Sequence, residues 1–232
     1  MIKIENTEVV GWEAAIRGMR NPMNSWEKSD SGIGCNVYGQ RMHCRDCKIA
    51  DIPSCMHNRT LSIGPNDYEL MMKLAKGGSV HAKYRRMITV YVDITAPLFW
   101  WKEFDTYKVG TVANSCSTMH KIHSKRFERE DFSIEHIENC DEQHWMVCID
   151  NVISALNVAR EKYIETKDKK YWWQMIQLLP SSYNQRRTVM LNYEVLANIY
   201  KSRKNHKLDC WRDFCAWIEG LPYSELITGQ DS

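Results

Sequence analysis

The sequence predicts an α+β fold in which a central antiparallel or mixed sheet is covered by long helices. A β-branched and aromatic run from Met87 to Ile94 has the composition of a strand. Over Glu142 to Tyr163, apolar residues recur at three- and four-residue steps, which is typical of a helix with one buried face. Tyr171 to Leu179 and Val189 to Lys204 are further predicted helices. Such helices bury apolar surface against a sheet or against copies of themselves.

Composition and charge narrow the classes of function. The chain has 232 residues, 44% of them hydrophobic, and a formal net charge of +2 with a sequence pI near 8.0. This balance gives no global field for nucleic acid or an anionic membrane surface. No apolar run approaches the length of about 18 residues that a membrane span requires, and the amino terminus lacks the apolar core of a signal peptide. We expect a single cytoplasmic domain, 1–232, with neither nucleic acid nor membrane as partner.

Before the Met87 strand, residue patterns and helix-end residues predict one further strand and two helices. Lys3 to Val10 alternates weakly and is predicted as a first strand, followed by a short helix from Trp12 to Gly18. Another helix is expected between Gly64 and Gly77, because Pro65 suits a first helical position and glycine favours a helix end.

A Cys-rich insertion occupies about residues 35–57. The chain holds nine cysteines, and without a secretion signal we expect reduced thiols or metal ligands rather than disulfides. Cys44 and Cys47 have the C-x2-C spacing that lets two thiolates bind one tetrahedral zinc, and Cys35 with Cys55 would complete the shell. The alternative is a loop bearing free thiols. Four later cysteines are expected to be buried, unpaired thiols: Cys140, Cys148, Cys210 and Cys215.

The stretch from Ala96 to His120 is the best candidate for chemistry. A proline turn leads into a short helix whose large aromatics, Trp100, Trp101 and Phe104, are expected in the core. A polar segment follows. Its Cys116 is either a nucleophile, since a thiolate is polarizable and reactive when activated, or a small buried thiol.

Two other segments carry candidate binding residues. The basic cluster from His81 to Arg86 is either a solvated face or a phosphate or diphosphate contact. In the last predicted long helix, spacing puts Asn192, Leu196, Ile199 and Arg203 on one face, with an amide at one end and a guanidinium at the other. Such a face suits a ligand-lined wall, although a salt-bridged structural Arg203 is the alternative.

The Ala96 to His120 stretch resembles the signature region of the flavin-dependent thymidylate synthases. That signature reads Arg-His-Arg, seven residues, Ser, any residue and Arg-Tyr. Here Thr106, Tyr107 and Lys108 stand at the first three positions, Cys116 at the serine, and Thr118 with Met119 at the final pair.

A second resemblance to the same family lies further along the chain. Leu179-Pro180 precedes residues in the order of the pattern Asn-x-Arg-x-Leu-x-x-Phe-Leu-x-x-Arg. Glu194 replaces its first arginine, and Ile176 stands where an arginine usually precedes Leu-Pro. The matching residues are Asn192, Leu196, Asn198 and Arg203.

The resemblance implies a homotetrameric enzyme that binds FAD and a dUMP-like pyrimidine nucleotide. Methylenetetrahydrofolate would supply the one-carbon unit and NADPH would reduce the flavin. The implied catalytic residues are Arg203, Cys116 and Ser117. The implied cofactor-binding residues are His81, Tyr107, Lys108, Asn192 and Asn198. The implied substrate-binding residues are Lys102, Glu103, Lys108, Arg186, Arg187 and Arg203.

Altered motif positions keep two other hypotheses open. One is a divergent homologue that binds a nucleotide or flavin without methylating, or that modifies a different pyrimidine. The other is an interaction protein whose zinc-stabilised 35–57 segment is the working part. The first is motivated by charged or hydrogen-bonding groups replaced at Thr106, Thr118, Met119, Ile176 and Glu194.

Overall fold

The structure is a computed structural model that describes residues 2–35, 42–43, 59–139 and 144–229, with the backbone alone for 33–35, 42–43 and 59–60. The predicted zinc set therefore lies outside the description, because Cys44, Cys47, Cys55 and the side chain of Cys35 are not in it. Cys140 lies outside it as well.

Two sheets and eight helices occur in the described part of the chain. A four-stranded sheet has the strand order β1-β5-β7-β6, and a three-stranded sheet has the order β3-β2-β4. These elements confirm the predicted α+β class. No helix among the described residues is long and apolar enough to cross a bilayer. The strands are β1 (Lys3–Val10), β2 (Gly32–Cys35), β3 (Met42–His43), β4 (Arg59–Ser62), β5 (Thr89–Pro97), β6 (Val112–Ser115) and β7 (Asn184–Asn192). The helices are α1 (Trp12–Arg20), α2 (Pro65–Lys76), α3 (Leu98–Phe104), α4 (Trp145–Thr166), α5 (Lys169–Leu178), α6 (Tyr193–Arg203), α7 (Asp209–Glu219) and α8 (Glu225–Thr228).

The chain divides into two compact units. The first unit comprises Met1–Glu8, Tyr91–Met190 and Arg203–Trp217, and the second comprises Val9–Val90, Leu191–Ser202 and Ile218–Ser232.

In the first unit, aromatic side chains of α3 and α7 form a buried cluster. Trp100, Trp101 and Phe104 are at most 1% exposed, as predicted. The ring centroids of Trp100 and Trp211 are 4.9 Å apart. Aromatic pairs at such distances contribute beyond their buried area, so this cluster fixes α3 against α7.

A separate apolar cluster of the first unit involves α4 and α5. Ile176, at a position where the resembled family has an arginine, packs against it. Its buried members are Ile122, Phe127, Phe132, Leu156, Ala159 and Met175.

In the second unit, a buried ion pair joins α1 to α2. Asp67 is fully buried and accepts a hydrogen bond from Nε of Arg20 at 2.6 Å and another from Oγ of Ser29 at 2.7 Å. Burial by itself would raise the pKa of Asp67, but hydrogen bonds from Ser31, Ser29 and Arg20 outweigh it and lower the pKa below its ordinary 3.8.

The helix predicted over Val189 to Lys204 is partly wrong, because β7 extends through Asn192 and α6 begins only at Tyr193. The side-chain oxygen of Asn192 accepts hydrogen bonds from the backbone N–H groups of Glu194 and Val195, both at 3.1 Å. Asn192 thus caps the helix, and the four-residue face from Asn192 to Arg203 does not exist as one helical face. Short apolar runs do not distinguish a strand from a helix.

A short helix lies near the carboxyl terminus although this segment is rich in polar residues. It is α8, Glu225–Thr228, and its Leu226 and Ile227 are 0% and 5% exposed. Burial of two aliphatic side chains offsets the polarity of the segment.

Replacement of Asp67 by Asn tests the buried pair. Arg20 would stay buried without its counter-charge, so we expect the free energy of unfolding to fall by about 3 kcal/mol in urea titrations at pH 7. The matched control is Glu161→Gln, which breaks an exposed pair with Arg126 and should change stability by less than about 0.5 kcal/mol. Equal effects of the two variants would contradict the prediction.

The same pair predicts a pH dependence of stability. Because folding lowers the pKa of Asp67, its contribution is present above the ordinary value of 3.8 and is lost as the pH falls through the lower folded value. Acid titration of wild type against Asp67→Asn should therefore show the difference in unfolding free energy shrinking below pH 4.

Candidate functional site

The candidate site is built on residues 102–108, here called the α3 end. Pro97 precedes the first helical residue of α3, and the helix stops where Asp105 N–H donates to the carbonyl of Trp101. Buried aromatics hold the helix, so its last turn and the residues that follow it present Glu103, Asp105 and Tyr107 at defined positions.

Arg203, the last residue of α6, contacts three groups, two of the α3 end and one of α7. Its Nε donates to the hydroxyl of Tyr107 at 2.9 Å and its Nη1 donates to Oε2 of Glu103 at 2.8 Å. Its guanidinium carbon lies 4.7 Å from the ring centroid of Trp211. The same Glu103 oxygen also accepts the indole N–H of Trp211 at 2.8 Å. Arg203 is therefore salt-bridged, and its Nη2 has no hydrogen-bond partner among the described residues.

Arg187 of β7 is held in the same way. Its Nε donates to Oε1 of Gln185 at 3.0 Å and its Nη1 to Oδ1 of Asp105 at 2.7 Å. The guanidinium carbon lies 4.2 Å from the ring centroid of Trp101. Within the described parts of the chain, Nη2 of Arg187 also lacks a hydrogen-bond partner. Each arginine thus has one face covered by an indole ring, and its Nη2 together with the second N–H of Nη1 is left to bind a ligand.

Gln185 connects this arrangement to Cys116. Its amide nitrogen donates to the carbonyl of Cys116 at 2.8 Å, and the N–H of Cys116 donates to the carbonyl of Arg186 at 2.9 Å. Cys116 follows the edge strand β6, which pairs antiparallel with β7, and its side chain is exposed. The hydroxyl oxygen of Ser117 accepts from the N–H groups of Met119 and His120. Ser117 therefore shapes the turn. Of the two alternatives for Cys116, the small buried thiol is wrong, because the residue is exposed.

Arg186 lies on the opposite face of β7 from Arg187, because successive residues of a strand alternate between faces. Its Nη2 donates to Oδ2 of Asp93 at 2.8 Å, and Thr188 donates to Oδ1 of the same carboxylate at 2.5 Å. Hydrogen bonds from Thr188, Asn6 and Arg186 lower the pKa of Asp93 far below its ordinary value. Arg186 and Arg187, both predicted to bind substrate, therefore lie on opposite faces of β7.

The remaining predicted residues belong partly to the α3 end and partly to the second unit. Lys102 and Lys108 belong to the α3 end and are exposed. His81, Asn192 and Asn198 belong to the second unit, where His81 and Asn198 are exposed and Asn192 caps α6.

Glu194, in place of the family's arginine, is buried in the second unit. It lies 3.7 Å from Nη1 of Arg85, and both side chains are at most 10% exposed. Nε of Arg85 and Oε2 of Glu194 lack hydrogen-bond partners among the described residues. The basic cluster therefore has one buried, paired member, Arg85, and exposed members at His81, Lys83 and Arg86.

Sequence reasoning missed four residues that hold the predicted ones. Asp105 and Asp93 pair with the two β7 arginines, Gln185 links Arg187 to Cys116, and Trp211 supports Arg203 and Glu103. Strand alternation in β7 would have placed Gln185 beside Arg187, but no sequence signal identifies the partners 82 to 108 residues away.

Solved structures with a similar fold are known. The chain is similar to thymidylate synthase X of Helicobacter pylori, solved with FAD and dUMP, at 16% identity and a TM-score of 0.66 over 99% of this chain and 98% of that chain. A second structure of the Helicobacter pylori flavin-dependent thymidylate synthase with FAD and dUMP gives 15% identity and a TM-score of 0.64, with 98% of each chain covered. The UMP/dUMP methylase PolB of Streptomyces cacaoi, bound with 5-Br dUMP, gives 14% identity and a TM-score of 0.56 over 99% of this chain and 95% of that chain. No protein-family model matches the chain, and no curated protein matches its sequence.

These similarities establish the fold. The chain has the fold of the flavin-dependent thymidylate synthases over almost its whole length. The resemblance found in two sequence segments is thereby confirmed at the level of the fold.

Thiol labelling tests the placement of the cysteines. Cys210 and Cys215 are buried as predicted, and Cys116 is exposed. The prediction that Cys148 is buried is wrong, because this residue is exposed on α4. In native protein treated with iodoacetamide and analysed by peptide mass spectrometry, we expect Cys116 and Cys148 to be modified and Cys210 and Cys215 to react only after unfolding. Modification of Cys210 at the rate of Cys148 would contradict this placement.

Proposed function

We propose that the chain is a flavin-dependent enzyme that methylates a pyrimidine nucleotide such as dUMP. Methylenetetrahydrofolate would be the one-carbon donor, NADPH the reductant of the flavin, and a cytoplasmic homotetramer the working form. The fold shared with enzymes solved with FAD and dUMP supports this proposal.

The observation that carries the proposal is the fixed guanidinium of Arg203. In the resembled family the matching arginine contacts the pyrimidine, and here Arg203 is 19% exposed, held by Glu103 and Tyr107 and stacked on Trp211. A guanidinium fixed in this way stabilises negative charge that develops on a ring carbonyl oxygen, because its orientation is set before the ligand arrives.

Several exposed side chains of the second unit are of the types that bind a diphosphate such as that of FAD. His81, Lys83 and Arg86 are exposed and near one another in sequence, and the charged donors among them suit phosphate oxygens. Asn192 keeps its amide N–H groups available, since only its oxygen caps α6. When bound, the flavin would supply the redox chemistry, and the protein would bind and orient the ligands.

On the substrate side, the chain's own residues have separate roles. Arg203 would polarise a ring carbonyl, and Glu103 with Tyr107 would keep its orientation. Cys116 would present an exposed thiol beside β7, with its backbone fixed by Gln185. Lys102 and Lys108 would be solvent-exposed charges near the ligand.

A second candidate function is binding of a nucleotide or flavin, with the same fold, but without methylation. Ile176 packs in an apolar cluster and Glu194 pairs with Arg85, so neither position offers the family's arginine. Incubation of the chain with dUMP, FAD, NADPH and methylenetetrahydrofolate, followed by nucleotide chromatography, separates the two. A new methylated nucleotide favours the first candidate, and ligand binding without product favours the second.

An absorbance titration tests the cofactor. With FAD added to the purified chain, we expect a perturbed visible spectrum of oxidised flavin and co-elution of flavin with protein on gel filtration. Lys83→Ala with Arg86→Ala should weaken binding by about tenfold or more, because each removes a charge-assisted bond. Lys76→Ala, at the exposed end of α2, is the control. An unchanged spectrum at excess FAD would remove the cofactor proposal.

Replacement of Arg203 by Ala tests the substrate role. Loss of one charge-assisted hydrogen bond to the ring should weaken dUMP binding by about tenfold or more, as measured by calorimetry. Arg212→Ala removes an exposed arginine of α7 and should leave affinity unchanged. Circular dichroism establishes that both variants fold, and unchanged affinity in Arg203→Ala would contradict the role.

A further inference from the structure

His206 lies in the turn between α6 and α7, where both its backbone and its ring are fixed. Its N–H donates to the carbonyl of Arg203 at 2.9 Å, and its own carbonyl accepts from Nη1 of Arg212 at 2.9 Å. Nδ1 of the imidazole accepts the backbone N–H of Leu208 at 3.2 Å. The side chain is 20% exposed. The ring therefore has a defined orientation.

The hydrogen bond from Leu208 also decides where the imidazole carries its proton. A backbone N–H only donates, so Nδ1 of His206 must offer a lone pair. A neutral imidazole whose Nδ1 is unprotonated carries its single proton on Nε2. That nitrogen lies 3.8 Å from Oε2 of Glu103. The turn thus presents a neutral Nε2–H group beside the carboxylate.

Three donor groups surround this oxygen of Glu103. Nη1 of Arg203 and the indole N–H of Trp211 each bond to it at 2.8 Å. Nε2 of His206 is beyond hydrogen-bond distance, and its N–H dipole still attracts the carboxylate charge. A carboxylate approached from three elements has little freedom to rotate. If the histidine donor were lost, the carboxylate could turn toward solvent, and Arg203 would lose its fixed orientation.

We propose that His206 is a positioning residue of the candidate site, whose neutral Nε2–H holds the Glu103 carboxylate in the orientation that fixes the guanidinium of Arg203. It acts on a ligand only through these two residues. The consequence for nucleotide binding rests on the proposed function, whereas the effect on Arg203 is a property of the ligand-free chain.

Two substitutions separate this role from a purely structural one. His206→Asn keeps an acceptor at about the position of Nδ1, for the N–H of Leu208, and removes the donor beside Glu103. His206→Gln keeps a donor at about the position of Nε2 and removes the acceptor. A residue that only stabilises the turn would be damaged more by Gln. A positioning residue would be damaged more by Asn.

The first measurement needs no ligand. The rate at which phenylglyoxal modifies Arg203 in the full-length chain is followed by peptide mass spectrometry. We expect His206→Asn to raise this rate about threefold or more, and His206→Gln to leave it within about twofold of wild type. Arg187 is the internal reference, because its side chain is 15% exposed against 19% for Arg203 and is also held by a carboxylate. An unchanged rate in His206→Asn, or a larger rise in His206→Gln, overturns the inference.

A double-mutant cycle tests the route through Glu103. Glu103→Gln should itself raise the modification rate of Arg203, and in that background His206→Asn should add nothing further, because the carboxylate that links the two residues is gone. Independent, multiplicative effects of the two substitutions would contradict the proposed route. Circular dichroism establishes that each variant folds.

Calorimetric titration with dUMP, in excess FAD, measures the consequence for binding. We expect His206→Asn to weaken the affinity about threefold or more, and His206→Gln to keep it within about twofold of wild type. If wild type binds no dUMP while the reactivity of Arg203 changes as expected, the proposed function falls and the positioning role stands. If wild type binds dUMP and His206→Asn changes neither affinity nor reactivity, the inference falls and the proposed function stands.

Discussion

One carboxylate oxygen, Oε2 of Glu103, fixes the geometry of the candidate site. It accepts hydrogen bonds from Arg203 at 2.8 Å and from the indole of Trp211 at 2.8 Å, and thereby ties the end of α3 to the end of α6 and the start of α7. Trp211 is fully buried, whereas Glu103 is 36% exposed. The oxygen thus stands where a rigid aromatic core meets solvent, and a guanidinium held there keeps its orientation while still reaching a ligand.

The same design occurs a second time at the other side of the α3 end. Asp105 pairs with Arg187, and Trp101 beneath that arginine belongs to the buried cluster. A core of tryptophans therefore supports two guanidinium groups whose charges are offset by carboxylates two residues apart. Such a site differs in character from one built of uncompensated arginines, since its electrostatic attraction for anions is low while its hydrogen-bonding capacity remains.

Compared with the similar solved structures and the resembled family, the fold of this chain is retained more fully than the charges at its candidate site. At 14 to 16% identity the chain retains the fold of enzymes solved with dUMP or 5-Br dUMP, because a fold depends on the pattern of buried apolar residues, which tolerates exchange of one large side chain for another. A binding site depends on individual charges. Ile176 in an apolar cluster and Glu194 opposite Arg85 show that charge positions have changed without loss of the fold, so the fold alone does not define the function.

The sequence by itself determined the α+β class and the burial of Trp100, Trp101 and Phe104, because hydrophobic periodicity and turn residues act locally. It misassigned Asn192, since a short apolar run fits a strand and a helix equally well, and only the sheet decides between them. Tertiary structure alone decided that Arg186 and Arg187 face opposite ways and that Glu103, Asp105 and Trp211 hold the arginines. Those contacts join residues 82 to 108 positions apart, where packing of distant elements, rather than local preference, selects the partner.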